Sequence, residues 1–377
     1  MVLCAIIFSL TFISSGLFAG TYALEYNETD STLVSADGPY VLYLEDGSTR
    51  IITVDCHGTL KDTTYQLLPE NLILPVTSSK GDYHFQVPLH PIKRPIWRCK
   101  QSNKVFVMSD PHGNLDCFVS LLQGNGIIDE KLSWIYGANH LMIVGDVFDR
   151  GDDVLPVFWL IYKLEEEAAQ VGGHVSFLLG NHESMVLAND LRYCKPKYQA
   201  LAEKLDIPYS QLFGKETELG KWLATRNTIE IIGEDLYVHA GLSEDFFEKN
   251  LSIPIVNKEI SRALFMGKEE RRALSDLTNF LYGNSGPIWY RGLVRNAAKY
   301  KPIPTDILTQ MLERYEVERI VVGHTIFDDV STFHDGRVID VNVDNSKNRK
   351  YGLGRGLLID GEKYMKVGDC GIQRVLW

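Results

Sequence analysis

The hydrophobic pattern changes character twice along the chain. Residues 5–19 (AIIFSLTFISSGLFA) are mostly apolar, and no charged side chain precedes Glu25. From there to about residue 100, short β-prone runs dominate. Residues 41–44 and 51–54 are apolar and flank Glu45-Asp46-Gly47-Ser48, which predicts a hairpin. Pro88, Pro91 and Pro95 mark a boundary near residue 100. Beyond it come five brief apolar runs of the buried-strand type: 104–109 (KVFVMS), 141–144 (LMIV), 175–179 (VSFLL), 235–238 (DLYV) and 319–322 (RIVV). Helical spacing fills 114–123 and 154–170, the second stopped by Gly172-Gly173. Strands alternating with helices predict an α/β architecture. The chain therefore divides into a leader (1–23), a small β-rich extension (24–100) and a larger α/β domain (101–377).

The charge-free start, with Thr21-Tyr22-Ala23 as a small-x-small cleavage site, reads as a secretory signal peptide; a retained membrane anchor is the alternative. Export would place the protein in the periplasm or outside the cell. No other stretch approaches the ~18 uncharged apolar residues of a spanning helix, so no stable span is expected after signal removal. Composition adds exclusions. With 38 Lys+Arg against 49 Asp+Glu the net charge is −11, and no basic run occurs, which disfavours nucleic acid as a partner. A 45% hydrophobic and 23% charged composition is that of a globular protein. The six cysteines show no CxxC spacing. Cys56 and Cys99 bracket the extension and are candidates to pair in an oxidising compartment.

Each of the five apolar runs ends in residues able to bind a hard or borderline metal. They are Asp110, His112, Asp146, Asn181, His239 and His324. In α/β sheets, sites form beyond the carboxyl ends of strands, so the five loops should converge. Each residue alone has an ordinary structural reading: Asn181 as a helix cap, His239 as a satisfied core histidine, Arg150 as a salt-bridge partner. Their coincidence at successive strand ends points to a shared site. A carboxylate such as Asp146 can bridge two ions about 3.5–4 Å apart, the arrangement that serves phosphoryl displacement.

The motifs Asp110-Pro111-His112-Gly113, Gly145-Asp146-Val147-Phe148-Asp149-Arg150-Gly151, Gly180-Asn181-His182-Glu183, His239-Ala240-Gly241 and Gly323-His324 resemble those of the phosphoprotein phosphatase branch of the calcineurin-like metallophosphoesterases. Asp37-Gly38-Pro39-Tyr40-Val41, Asp190-Leu191-Arg192-Tyr193, Trp222-Leu223, the run from Gly286 to Gly292 (GPIWYRG) and the run from Ile320 to Thr325 (IVVGHT) are similar to the Shewanella-like group of cold-active protein-tyrosine phosphatase type. The resemblance implies a metallophosphoesterase-type β-sandwich flanked by helices, with the β-rich extension in front. It implies two divalent ions, Mn, Fe or Zn. Asp110, His112 and Asp146 would hold the first; Asp146, Asn181, His239 and His324 would hold the second. His182 would be the general acid, oriented by Asp149, while Arg150, Arg291 and Asn181 would contact the phosphate. Hydroxide bridging the metals would attack phosphorus directly. The implied substrates are phosphorylated proteins, phosphotyrosine among them; small phosphate esters or dinucleoside polyphosphates are the alternative. One departure stands out: the eukaryotic branch carries Ser-Ala-Pro-Asn-Tyr after the last histidine, where residues 338–344 here read VIDVNVD. The long segments 183–239 and 257–281 are expected to cap the cleft.

Overall fold

A computed structural model describes the backbone of residues 18–23 and all of residues 35–377. In the extension, β1 (Phe18–Ala23), β2 (Asp37–Tyr43), β3 (Thr49–Val54) and β4 (Thr59–Tyr65) form an antiparallel sheet in the order β1-β4-β3-β2. The expected hairpin is present, with Val41 opposite Ile51 and Tyr43 opposite Thr49. β5 (Ile73–Thr77) and β6 (His84–Pro88) make a second hairpin. Strand β1 takes up the end of the stretch read as a leader; the earlier part of that reading, residues 1–17, lies outside the described residues.

The larger part is a sandwich of two six-stranded sheets. The chain runs through β7 (Arg98–Cys99), β8 (Lys104–Met108), α1 (Leu115–Gly124), β9 (His140–Ile143), α2 (Val154–Gln170) and β10 (His174–Phe177). Next come α3 (Asn181–Leu187), α4 (Pro196–Leu205), α5 (Glu218–Leu223), β11 (Ile229–Ile232) and β12 (Asp235–Val238). Helices α6 (Glu244–Glu248), α7 (Ile253–Ala263), α8 (Lys268–Leu274), α9 (Asp276–Leu281) and α10 (Thr305–Tyr315) lead to β13 (Arg319–Val322). The last elements are β14 (Ser331–Phe333), β15 (Val338–Asp340), α11 (Asn345–Tyr351), β16 (Gly356–Asp360), β17 (Lys363–Gly368) and β18 (Gly371–Val375). The sheet orders are β10-β9-β8-β16-β17-β18 and β14-β15-β13-β12-β11-β7.

Period-two alternation explains why the central strands read as unbroken apolar runs. Val105 and Val107 of β8, Met142 of β9 and Val321 of β13 pack between the sheets with Ile339 and Leu357. Their neighbours Phe106, Met108, Leu141, Ile143, Ile320 and Val322 face the helices. Both faces of each strand are thus buried, so no polar residue interrupts the run.

Helix α2 is buried from Val154 to Leu164. The extension packs against it: Trp159 Nε1 donates to Pro39 O (2.9 Å), and the Tyr162 hydroxyl accepts from His90 N–H (3.0 Å). Tyr40, Val41 and Val87 share one continuous core with Phe158, Trp159 and Phe177. The expected pairing of Cys56 with Cys99 does not form: both thiols are free, Cys56 exposed in the turn after β3 and Cys99 half-buried in β7. Among the described residues no helix is long and apolar enough to cross a membrane.

Candidate metal centre

The loops following β8, β9, β10, β12 and β13 meet at one end of the sandwich. One sheet delivers Asp110, His112, Asp146 and Asn181; the other delivers His239 and His324. Tight loops bring them there at a conformational cost. Asp110, His112, Asp146, Asp149, Arg150 and His324 all have positive φ (44° to 72°). They are six of the 14 non-glycine residues in that state among the described residues, so left-handed backbone is concentrated where the chemistry is. Gly145 and Gly180 are required by close approach: a Cβ on Gly145 would stand 2.7 Å from His239 Nδ1, and one on Gly180 would overlap Asp146 Oδ1.

Asp146 is the hub. Its Oδ2 lies 3.2 Å from His239 Nε2, 3.9 Å from His182 Nε2 and 4.0 Å from His112 Nε2. Asp110 Oδ1 is 3.9 Å from His112 Nε2. The imidazoles are oriented from behind. His239 Nδ1 lies 2.7 Å from Val144 O and His112 Nδ1 lies 2.8 Å from Phe148 O, so each Nδ1 carries the proton. Each Nε2 then faces the cluster, the orientation that metal-binding histidines adopt. His239 Nε2 faces two oxygens, Asp146 Oδ2 and Asn181 Oδ1 (3.0 Å), a contact that a proton on Nε2 or a metal ion between the three atoms would satisfy. His324 Nε2 is buried without a hydrogen-bond partner. Two overlapping groups, His112/Asp146/His182 and Asp146/His239/His324, each hold their donor atoms within 4.8 Å of one another. The donor set and the orphaned nitrogen fit divalent ions of the borderline class.

Charges inside the cluster are tightly coupled. Burial pushes the Asp110 carboxyl up to about 6. Burial disfavours charge on His239, but the adjacent Asp146 outweighs it and raises the imidazole to about 9. The same partnership holds Asp146 well below the usual carboxylate range despite its burial. His112 and His324, desolvated without a comparable partner, are lowered, His112 to about 4.

His182 stands apart from the other imidazoles. Its Nδ1 lies 2.6 Å from Asp149 Oδ2, while its Nε2 faces the cluster. Burial opposes its charge, but Asp146 and Asp149 prevail and raise its pKa. Arg150 is exposed at the rim, its guanidinium 5.2 Å from the centre of the Tyr193 ring. Arg291 Nη1 donates to His324 O and Thr325 Oγ1, both at 3.0 Å. Asp110, His112, Asp146, Arg150, Asn181, His182, Arg291 and His324 line one open cleft of about 960 Å³, while the buried Asp149 and His239 lie behind that lining.

Several contributors escape sequence reasoning. Glu183 is fully buried and accepts from the backbone N–H groups of Asp146 (3.0 Å), Val147 (2.8 Å) and Gly180 (2.8 Å). It therefore ties the β9 loop to the β10 loop. Its place in the Gly-Asn-His-Glu motif was the available signal, but a surface helix cap has the same local pattern. Ser109, whose hydroxyl meets Asp110 Oδ2, had no signal at all. The expected cap differs too. No residue of 257–281 lines the cleft, and from 183–239 only Tyr193 does; the rim is completed by the β5–β6 turn and α11.

A calcineurin-like phosphoesterase domain matches residues 103–327, and the chain belongs to that family of metal-dependent phosphoric ester hydrolases. Within it, the structure is similar to the cold-active protein-tyrosine phosphatase of a psychrophilic Shewanella species. Identity is 32%, coverage is 91% of this chain and 99% of that one, and the TM-score is 0.81. The chain is also similar to Shewanella-like protein phosphatase 2 of Arabidopsis thaliana, at 24% identity over 313 residues (72% of this chain, 78% of that one). Shewanella-like protein phosphatase 1 of Plasmodium berghei is 27% identical over 229 residues (60% of this chain, 62% of that one).

Proposed function

We propose that this protein is a dimetal phosphoprotein phosphatase with phosphotyrosine as its preferred substrate. The observation that carries the reading is the position of Asp146 Oδ2, shared by three histidine Nε2 atoms within 4.0 Å. Asp110, His112 and Asp146 would hold one ion; Asp146, Asn181, His239 and His324 would hold the other. The donors suit Mn, Fe or Zn. Such ions, when bound, would supply hydroxide near neutral pH by lowering the pKa of water. Arg150 and Arg291 pair with phosphoryl oxygens through their planar guanidinium groups, helped by Asn181.

His182 protonates the leaving oxygen. Its Nδ1 is fixed by Asp149, which leaves Nε2 as the atom that delivers a proton toward the floor of the cleft. Support for an aromatic leaving group comes from the walls: the Tyr193 ring lies 5.4 Å from the His182 ring, and Trp289 meets His324 edge-on at 5.8 Å. The name of the Shewanella relative points the same way.

His182 Nε2 is as near Asp146 Oδ2 as His112 Nε2 is, so a ligand role competes with the acid role. A leaving-group series separates them. In the acid role, His182→Ala keeps both metals by elemental analysis. It then lowers phosphotyrosine turnover by ~10² or more, and p-nitrophenyl phosphate turnover far less, because nitrophenolate departs without a proton. Loss of one metal with equal loss on both substrates would make His182 a ligand. Substrate choice is tested by phosphotyrosine peptides, phosphoserine peptides and diadenosine tetraphosphate assayed with Mn, Fe and Zn. Turnover of the nucleotide alone would overturn the protein-phosphatase reading. The charge-free N-terminus supports export to the periplasm or medium; a cell fractionation that finds the protein in the cytoplasm would refute that.

A further inference from the structure

We infer that the cleft recognises acidic residues flanking the phosphorylated side chain, through Arg295 and Lys80. The inference rests on the protein-phosphatase reading above and adds a class of preferred peptide to it. Five lysine and arginine side chains line the cleft. Arg349 is committed to Asp116 and to Asp369 Oδ2 (3.2 Å). Arg150, Arg291, Arg295 and Lys80 form no ion pair with any carboxylate among the described residues. Of the aspartates on the same lining, Asp110 and Asp146 belong to the metal centre, Asp116 pairs with Arg349, Asp152 pairs with Lys195, and Asp153 and Asp344 accept from Ser79 and Lys347 N–H, which leaves Asp82. Arg150 and Arg291 are accounted for by the phosphate. The other two cations have no assigned task.

Arg295 follows Arg291 by one helical turn, with its N–H on Arg291 O at 2.9 Å. Its Nη2 donates to Ile326 O (3.3 Å), and its guanidinium stacks on Phe327, 4.6 Å from the ring centre. The group is therefore held in place while most of its N–H donors stay uncommitted, as suits a planar carboxylate fork. Lys80 is exposed in the turn between β5 and β6. That turn is fastened to the body on both sides: Ser79 N–H donates to Asp153 Oδ1 (2.5 Å), and the Tyr83 hydroxyl donates to Asp116 Oδ1 (3.0 Å). Asp82 shares the turn without pairing to Lys80 and weakens its pull, so Arg295 carries the larger share.

The charge distribution selects the partner. A net charge of −11 repels an extended polyanion such as nucleic acid. A peptide with a few carboxylates close to its phosphate gains locally without that long-range cost. At ~3.3–3.6 Å per residue, carboxylates one to three positions from the phosphorylated residue lie within ~11 Å of it.

The test compares phosphotyrosine peptides that differ only in three flanking glutamates or three glutamines, assayed on the metal-loaded full chain. The expected kcat/KM ratio favours the glutamate peptide by about three- to tenfold at low salt and shrinks in high salt. Arg295→Gln lowers that ratio, Lys80→Gln lowers it less, and the double variant brings it to about one. The ratio is the readout because a general disturbance of Arg291 would slow both peptides equally and leave it unchanged. Equal rates for the two peptides with the unaltered protein, or a ratio that survives the double variant, would overturn the inference while leaving the phosphatase reading intact. Turnover of diadenosine tetraphosphate with neither peptide cleaved would overturn both.

Discussion

Two of the buried polar networks in this sandwich invite comparison, and of that pair one has the marks of chemistry. Near β9 and β10, His140 Nε2 meets Ser176 Oγ (2.9 Å), Ser176 donates to Glu230 Oε2 (2.6 Å), and Asn227 Nδ2 donates to Glu230 Oε1 (2.9 Å). The hydroxyl, amide and carboxylate there all have partners, although His140 Nδ1 has none, and His140, desolvated and lowered to about 3, is neutral. None of the four residues has positive φ. Around Asp146, by contrast, two oxygens converge on His239 Nε2, and two further histidine Nε2 atoms lie within 4.0 Å of the same carboxylate. Six of the surrounding residues hold left-handed backbone. Buried polarity alone therefore does not mark a site. Convergent acceptors on strained loops do, because such an arrangement is stable only around a cation.

That contrast can be broken by substitution. The largest effect is expected from Asp146→Asn, which should lower turnover by at least ~10² and release metal, measured by steady-state kinetics and elemental analysis. An unchanged rate would remove Asp146 from its central place. Glu183→Gln should follow, lowering turnover by about tenfold and stability by about 1–3 kcal/mol, because an amide cannot accept from every N–H that the carboxylate now serves. Denaturant titration and kinetics on one preparation would show whether the two losses go together. Ser176→Ala should cost a similar 1–3 kcal/mol by leaving Glu230 Oε2 unpaired, yet leave turnover per folded molecule unaltered. A loss of activity there would erase the distinction between the networks.

The smallest expected effect concerns pH. Asp235 is buried, and desolvation raises its carboxyl to about 7, against which its hydrogen bond from Tyr364 is insufficient. A carboxyl whose folded pKa is raised holds more protons when folded than unfolded. Its contribution is intact below about 4 and is lost as pH rises through about 7. Asp235→Asn should therefore flatten the dependence of Tm on pH between about 4 and 7 by a few degrees. An unchanged slope would mean that Asp235 is ionised in the fold throughout.

Much of the site was legible because ligand chemistry and strand ends coincide in one dimension. Asp110, Asp146, Asn181, His239 and His324 each follow an apolar run, and both the strands and the convergence are present. The division of those strands between two sheets was not legible. Nothing in residues 235–238 says that β12 pairs with β13 across from β9 rather than beside it, since pairing partners are chosen by tertiary packing. Strands β16, β17 and β18 went unread because 356–360 (GLLID) and its neighbours are short and lie outside the series of metal-binding motifs. Glu183 was hidden for a different reason: its four-residue motif looks local, whereas its work is to join two loops some 35 residues apart in sequence.

Helix α2 carries a further consequence, for how the chain can be divided. It has no water-facing side along its first three turns, because the N-terminal strands occupy the face that a surface helix would turn to solvent. A shortened chain beginning near residue 100 would uncover Trp159, Tyr162 and the apolar residues around them in one patch. Such a patch invites self-association. The phosphoesterase domain matched at 103–327 is thus a unit of sequence more than a unit of solubility, and the strands before it supply the cover that α2 needs.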